Sequence, residues 1–202
     1  MSQDPRSDVP VPEAVVARFQ ALLDQARQAE IPEPSAMSLA TVSPAGAPSV
    51  RTVLLKSWSA CGIDFYTNLN SCKARHLEAH PQAAVCFYWG PLWRQVLMEG
   101  GVERQSDRES DAYWETRPRD HQLGAWSSSQ SQPLSSRDFL ESEYRRYELF
   151  FEGRPIPRPP YWGGFHLHPT LIEFWSGQAG RLHERDRYTV VEGRWTHQLY
   201  FP

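Results

Sequence analysis

The 202-residue sequence is poor in cysteine. It has three, Cys61, Cys72 and Cys86, and no two share a pairing or metal-ligand spacing. Neither a disulfide framework nor a zinc site is expected, and reduced thiols in a cytoplasmic protein are the plain reading. Long apolar runs are also missing. Nothing approaches the roughly 18 residues of a membrane-spanning helix. Met1 to Pro10 is polar and lacks the apolar centre of a signal peptide. Charge of one sign is lacking too, with 21 Lys and Arg against 24 Asp and Glu and a formal net charge of −3. Without a global basic field, nucleic acid is not an expected partner. Phosphate recognition needs only a few well-placed cations and stays open. No Gly-rich dinucleotide fingerprint, P-loop or Gly-x-Ser-x-Gly elbow occurs.

Aromatic residues are plentiful, at 12% with eight Trp. Such a load fits a well-filled core, or flat rings around a flat ligand. The length suits one sizeable core. One domain over residues 11–202 is expected, after a disordered stretch at 1–10.

The apolar period then sorts the chain. Val15, Val16, Phe19, Leu22, Leu23 and Ala26 recur at helical spacing, which predicts an amphipathic helix from Pro12 to about Ala29. A meander of short antiparallel strands follows: Ala36 to Val42, a turn at Ser43 to Gly46, Val50 to Ser57, and Ile63 to Thr67. The aliphatic run from Val50 reads as a strand largely buried on both faces. Ser71 to His80 reads as a short helix. Ala83 to Trp89 and Gln95 to Glu103 read as strands. Ser106 and Glu109 form a capping box for a helix through about Thr116, and Arg117 to Trp126 is suited to a second short one. Ser127 to Ser136 is a polar loop. Phe139, Leu140, Tyr144, Tyr147 and Phe151 mark another amphipathic helix, followed by a Pro-rich loop to Pro160. Four strands close the chain: Gly164 to His168, Leu171 to Trp175, Arg181 to Val190 and Trp195 to Tyr200. The pattern is α+β, and a closed or nearly closed antiparallel barrel would remove the edges so many strands create.

Cations recur in short clusters. In a strand, Arg181, His183 and Arg185 would project from one face, with Leu182 and Glu184 on the other. An anion or electron-rich ligand would relieve the repulsion among them; a solvated strand face is the alternative. Arg51-Thr52-Val53-Leu54-Leu55-Lys56 sets one cation at each end of an apolar strand, and the odd spacing points them to opposite faces. Burying either without an anion would be costly. Asn68 to Lys73 leads from a strand into a helix N-terminus, a place suited to phosphate. Arg117-Pro118-Arg119-Asp120-His121 clusters cations on a stiff backbone. His166 and His168 share a strand face with no third ligand near, so no metal is expected.

Together and in this order, these stretches resemble the pyridoxine/pyridoxamine 5′-phosphate oxidase family. The matching residues are Arg51 to Lys56, Phe65-Tyr-Thr-Asn68, Arg94-Gln95-Val96, Arg117 to Asp120, Gly124-Ala-Trp126, Gln130-Ser131, Tyr161-Trp-Gly-Gly-Phe165, Glu173-Phe-Trp175 and Arg181-Leu182-His183. The resemblance implies an antiparallel split β-barrel with flanking helices and a homodimer with FMN at the subunit interface. It implies that Arg51 and Lys73 hold the FMN phosphate, in a cofactor set with Thr52, Val53, Leu54, Leu55, Lys56 and Cys72. Tyr66, Thr67, Gln95, Gln130, Ser131, Trp175 and Arg185 would line the flavin. Lys56, Tyr113, Arg117 and His121 would hold the phosphate of a small pyridine substrate. Arg181, Leu182 and His183 would lie against its ring, with Arg181 and His183 catalytic. The implied reaction oxidises a 4′ amine or alcohol to the aldehyde and reduces O2 to H2O2. An unperturbed imidazole titrates at about 6.5, so His183 is a candidate for moving a proton.

The sequence departs from the family pattern in three places. Cys72 stands where a second Arg is usual, His121 where Ser is common, and Met1 to Pro10 offers no counterpart to the basic N-terminal segment of some members. Two other outcomes stay open: a same-fold flavin oxidase on another substrate, as in phenazine biosynthesis, and a non-catalytic flavin or pyridoxal phosphate carrier.

Overall fold

The structure, a computed structural model, describes residues 9–202. Most of the stretch expected to be disordered, residues 1–8, lies outside the described residues. Val9 is inside them, and its carbonyl accepts from the Trp195 indole at 3.4 Å. The chain gathers into two compact units. One takes the chain up to Phe65 with His76–Glu103 and His166–Pro202; the other takes Tyr66–Arg75 and Arg104–Phe165.

In chain order the elements are α1 (Glu13–Gln28), β1 (Ala36–Val42), β2 (Pro48–Leu54), β3 (Ser57–Ser59), β4 (Gly62–Asn68), α2 (Cys72–Ala79), β5 (Gln82–Trp89), β6 (Arg94–Arg104), α3 (Asp107–Glu115), α4 (Arg119–Ser127), α5 (Arg137–Phe150), β7 (Trp162–Ser176), β8 (Glu184–Val191) and β9 (Arg194–Tyr200). The strands form one sheet of order β2-β1-β5-β6-β7-β4-β3, with β8 paired to β7 and β9 to β8. The β1–β2, β1–β5, β3–β4, β5–β6, β7–β8 and β8–β9 pairs are antiparallel.

In the first unit, α1 buries Val15, Phe19, Leu23 and Ala26, the face its periodicity predicts. The Phe19 ring meets Trp58 at 5.0 Å and Phe87 at 5.1 Å, both edge-on. Such contacts add to the roughly 1.5–3 kcal/mol of burying each large apolar side chain. The buried indole of Trp89 is satisfied by the Pro34 carbonyl at 3.0 Å. Gly100 on β6 is required by close approach: a Cβ there would stand 1.9 Å from the His168 carbonyl oxygen.

Three expectations are corrected. The run from Val50 is not buried on both faces. It is an edge strand whose side chains alternate between exposed and half-buried, with Val50 68% exposed. It stops at Leu54, so Lys56 lies beyond it, exposed, and the alternation between Arg51 and Lys56 does not carry through. The strands foreseen at Gly164 to His168 and Leu171 to Trp175 are one, β7, which runs through Pro169. The strand foreseen from Arg181 starts only at Glu184, because Gly180 (φ 67°) and Arg181 (φ 61°) are both left-handed and turn the chain.

The second unit has its own apolar cluster of Trp114, Leu123, Phe151, Ile156 and Trp162, edged by Tyr66, Tyr113, Trp126, Tyr144 and Tyr147. The capping box forms as foreseen: Ser106 Oγ accepts from the Glu109 N–H, and the Glu109 carboxylate accepts from the Ser106 N–H at 2.8 Å. α5 is capped by Ser136. Tyr144 and Tyr147 turn to the cluster, while Phe139 at the start of that helix stays exposed. The indoles of Trp114 and Trp126 donate to the carbonyls of Ile156 and Pro157, both at 2.8 Å, which fixes the Pro-rich loop.

Candidate functional site

The sequence-predicted residues fall into both units. Thr67, Cys72, Lys73, Gln130 and Ser131 converge in the second. The Asn68 side chain accepts from the Asn70 N–H at 2.8 Å and turns the end of β4 into α2. That places Lys73 in the first turn of the helix, only 8% exposed. Its ammonium donates to Thr67 Oγ1 at 2.8 Å, Gln130 Oε1 at 2.8 Å and Ser71 Oγ at 3.2 Å. The Cys72 N–H donates to Ser131 Oγ at 3.2 Å. Three uncharged oxygens thus orient a buried cation where helix N–H groups and the dipole favour an anion.

Arg75 is a residue that sequence reasoning missed. Its guanidinium reaches back to the Asn70 carbonyl and lies 3.3 Å from Cys72 Sγ. The available signal was the i, i+3 spacing from Cys72 on one helix face.

Tyr66, Tyr113, Arg117 and His121 also come together in the second unit. The Tyr66 ring stacks on Tyr113 at 4.0 Å and on Trp162 at 5.3 Å. Gly164 makes room for this: a Cβ there would stand 2.7 Å from the Tyr66 ring and 2.0 Å from Gln105 Oε1. The Arg117 guanidinium lies 4.5 Å over Trp162 and 5.2 Å over Trp114, a cation held by ring faces. One of its nitrogens donates to the His121 carbonyl at 2.9 Å, while Nε is buried with no hydrogen-bond partner. Burial pulls Arg117 below its ordinary pKa and the nearby Tyr113 works the other way. His121 itself is exposed, in the first turn of α4.

In the first unit, Arg51 on β2 reaches across to β1. It donates to the Leu39 carbonyl at 3.0 Å, Thr41 Oγ1 at 2.7 Å and Ser49 Oγ at 2.7 Å. Thr52, Val53 and Leu54 complete β2, and Leu55 is buried. Gln95 stands on β6 opposite Tyr88. Trp175 and Arg185 face each other across β7 and β8. Arg185 closes on Glu173 with two bonds of 3.0 Å, and Arg187 joins at 2.8 Å. Burial would raise the Glu173 carboxyl, but the two guanidiniums outweigh it and hold it below the ordinary range.

The arrangement expected of Arg181, His183 and Arg185 on one strand face is corrected. Arg181 ends a 3₁₀ turn (Ala179–Arg181), Leu182 is 75% exposed, and His183 precedes the strand. His183 Nδ1 accepts from the Gln178 N–H at 3.1 Å, and its ring lies 4.8 Å from that of Trp175.

His166 and His168 are taken by carboxylates, at 2.6 Å from Asp64 and 2.9 Å from Glu103. Among the described residues no group of three or more His, Cys, Asp or Glu side chains is arranged to hold a metal ion.

The family profile described as pyridoxamine 5′-phosphate oxidase matches residues 23–151. The chain belongs to that family. A second profile, described as the pyridoxine 5′-phosphate oxidase C-terminal dimerisation region, matches residues 162–202. A pyridoxine/pyridoxamine 5′-phosphate oxidase of Myxococcus xanthus (strain DK1622) is 48% identical over 96% of this chain and 94% of its own. One from Zymomonas mobilis is 43% identical over the whole of both chains. Among solved structures, PhzG from Burkholderia lata 383 in complex with tetrahydrophenazine-1-carboxylic acid superposes with a TM-score of 0.87. It is 30% identical and covers 98% of this chain and 100% of its own. An FMN-binding protein of Nostoc punctiforme shares the fold, with a TM-score of 0.73 at 20% identity over 92% of this chain and 96% of its own. The family fold is thereby this chain's: α+β, an antiparallel split barrel with flanking helices.

Proposed function

We propose that this protein is an FMN-dependent oxidase that converts pyridoxamine 5′-phosphate or pyridoxine 5′-phosphate to pyridoxal 5′-phosphate, with O2 reduced to H2O2 and, for the amine, water consumed and ammonia released. The observation that carries this reading is the 48% identity over 96% of the chain to a relative of that name. The residues present fit the groups the reaction needs. Lys73, oriented by Thr67, Ser71 and Gln130, would supply a cation for the flavin phosphate, and the family resemblance adds Arg51. Tyr66, Gln95, Ser131 and Trp175 would line the flavin.

For the substrate phosphate, Arg117 carries the strongest local argument. A buried, charged N–H without a partner costs roughly 1–3 kcal/mol or more, and an anion's oxygen would satisfy it. Lys56, Tyr113 and His121 complete that set. Arg181 would orient the pyridine ring and His183 would hydrogen-bond beside the reacting carbon. The chemistry FMN supplies when bound is acceptance of a hydride equivalent from the 4′ carbon and re-oxidation by O2. Residues 11–202 would act as one functional domain of a cytoplasmic homodimer, its dimer contacts including the matched region at 162–202. Among the described residues no helix is long and apolar enough to cross a membrane.

The test is oxygen uptake by the purified, FMN-loaded protein given pyridoxamine 5′-phosphate. Aldehyde and H2O2 should appear together in a one-to-one ratio. A yellow protein that takes up no oxygen with either phosphorylated substrate overturns the reading. The likeness to PhzG favours one second reading, a same-fold flavin oxidase acting on a reduced phenazine acid. That reading would take over if tetrahydrophenazine-1-carboxylic acid were oxidised and the phosphorylated pyridines were not.

A further inference from the structure

We propose that the turn from Gly177 to His183 fixes His183 as a hydrogen-bond donor through Nε2–H, so that this histidine binds an acceptor beside the reacting carbon and does not take the substrate's proton. The inference rests on the oxidase reading above and assigns the chemical state of one residue within it.

A backbone N–H can only donate. The Gln178 N–H points at His183 Nδ1 at 3.1 Å, so the lone pair of the neutral ring lies on Nδ1 and its proton on Nε2. A proton on Nδ1 would face the amide N–H and the contact would be lost. The turn that brings the two together is itself anchored. Gly177 donates its N–H to the Trp93 carbonyl at 2.9 Å, and its bare Cα fits closely against the Trp93 ring, where a Cβ would stand 2.5 Å from Cε3. Gly180 and Arg181, both left-handed, then reverse the chain, so that His183 comes back to Gln178. Left-handed geometry at a non-glycine residue persists only where the surroundings enforce it. The Trp175 ring, 4.8 Å away and tilted by 48°, bounds the imidazole. Anchored at Gly177 and closed at His183, the turn presents Nε2–H and no second lone pair. The group it recognises is therefore an oxygen or nitrogen acceptor.

Two measurements decide this. In the FMN-loaded protein with ¹⁵N-labelled histidine, at a pH where the ring is neutral, His183 should show a protonated Nε2 and a lone-pair-bearing Nδ1, its signals assigned by their loss in His183→Gln. The reverse pattern overturns the proposal. In turnover, the Gln amide places an N–H near the Nε2 position and the Asn amide does not. His183→Gln should keep kcat/KM within about fivefold, while His183→Asn falls about tenfold or more, the scale of one lost hydrogen bond. If both variants fall together by about 10²–10⁴-fold, His183 is a base and the proposal fails. A wild-type protein with no turnover on phosphorylated pyridines would sink the oxidase reading alone, because the nitrogen spectrum still settles the tautomer.

Discussion

Two groups of cations are held in opposite ways. In the first, Arg185 and Arg187 close on the nearly buried Glu173, and Arg18 pairs with Asp186 at 2.7 Å. In the second, hydroxyl and amide oxygens orient Lys73, and indole faces carry Arg117. A guanidinium already neutralised by a carboxylate ties strands together. One supported by neutral dipoles and rings keeps its field for a ligand.

The contrast can be broken by substitution. The largest effect is expected from Glu173→Gln, which leaves Arg185 and Arg187 facing a neutral amide where the carboxylate is 3% exposed. Removing one partner of a buried pair costs about 3–5 kcal/mol, and the partial exposure of both arginines argues for the lower end. Urea unfolding of the FMN-free protein should show it as an earlier midpoint.

The second group should behave the other way round. Lys73→Met removes a charge-assisted contact worth about 1.5–3 kcal/mol, or roughly 10- to 150-fold in the Kd for FMN, read by flavin fluorescence. Arg117→Met should raise KM for pyridoxamine 5′-phosphate by a comparable factor and leave the FMN Kd near its starting value. If both variants weaken FMN equally, the division of Lys73 and Arg117 between two phosphates is wrong.

The smallest effect is a pH dependence within the first unit. His166 Nδ1 faces Asp64, and Nε2 faces the Cys61 carbonyl at 2.9 Å. A carboxylate and a carbonyl both accept, so the ring satisfies both only as the imidazolium. Burial works against that charge, but the bonds to Asp64 and Cys61 outweigh it, and the folded pKa is raised above the ordinary value. The stabilisation is thus fully present below about pH 6.5 and is lost as pH rises through the raised folded pKa. Asp64→Asn should flatten that alkaline decline in urea midpoints taken from pH 6 to 9; an unchanged slope would remove His166 as its source.

What was legible in the sequence was local. The capping box at Ser106 and Glu109, the helical face of Phe19 and Leu23, and the turn ending at Gly46 each depend on neighbours a few residues away, and they formed as read. What was not legible depended on distant partners or on backbone handedness. The bond between Thr67 and Gln130 joins positions 63 residues apart, so family resemblance placed those residues in one set where spacing could not. The pairing of Arg185 with Glu173 was not legible either, because only the β7–β8 register brings the two together. The left-handed Arg181 defeated the alternation argument outright, because nothing in its side chain announces that conformation.

The placement of Arg117 over Trp162 and Trp114 has an optical consequence. Indole emission responds to the electric field across the ring, and a guanidinium over two indoles sets that field strongly. An anion arriving at Arg117 would cancel part of it. Occupancy of this cation by an anion should therefore be readable as a shift in tryptophan emission, with no added dye.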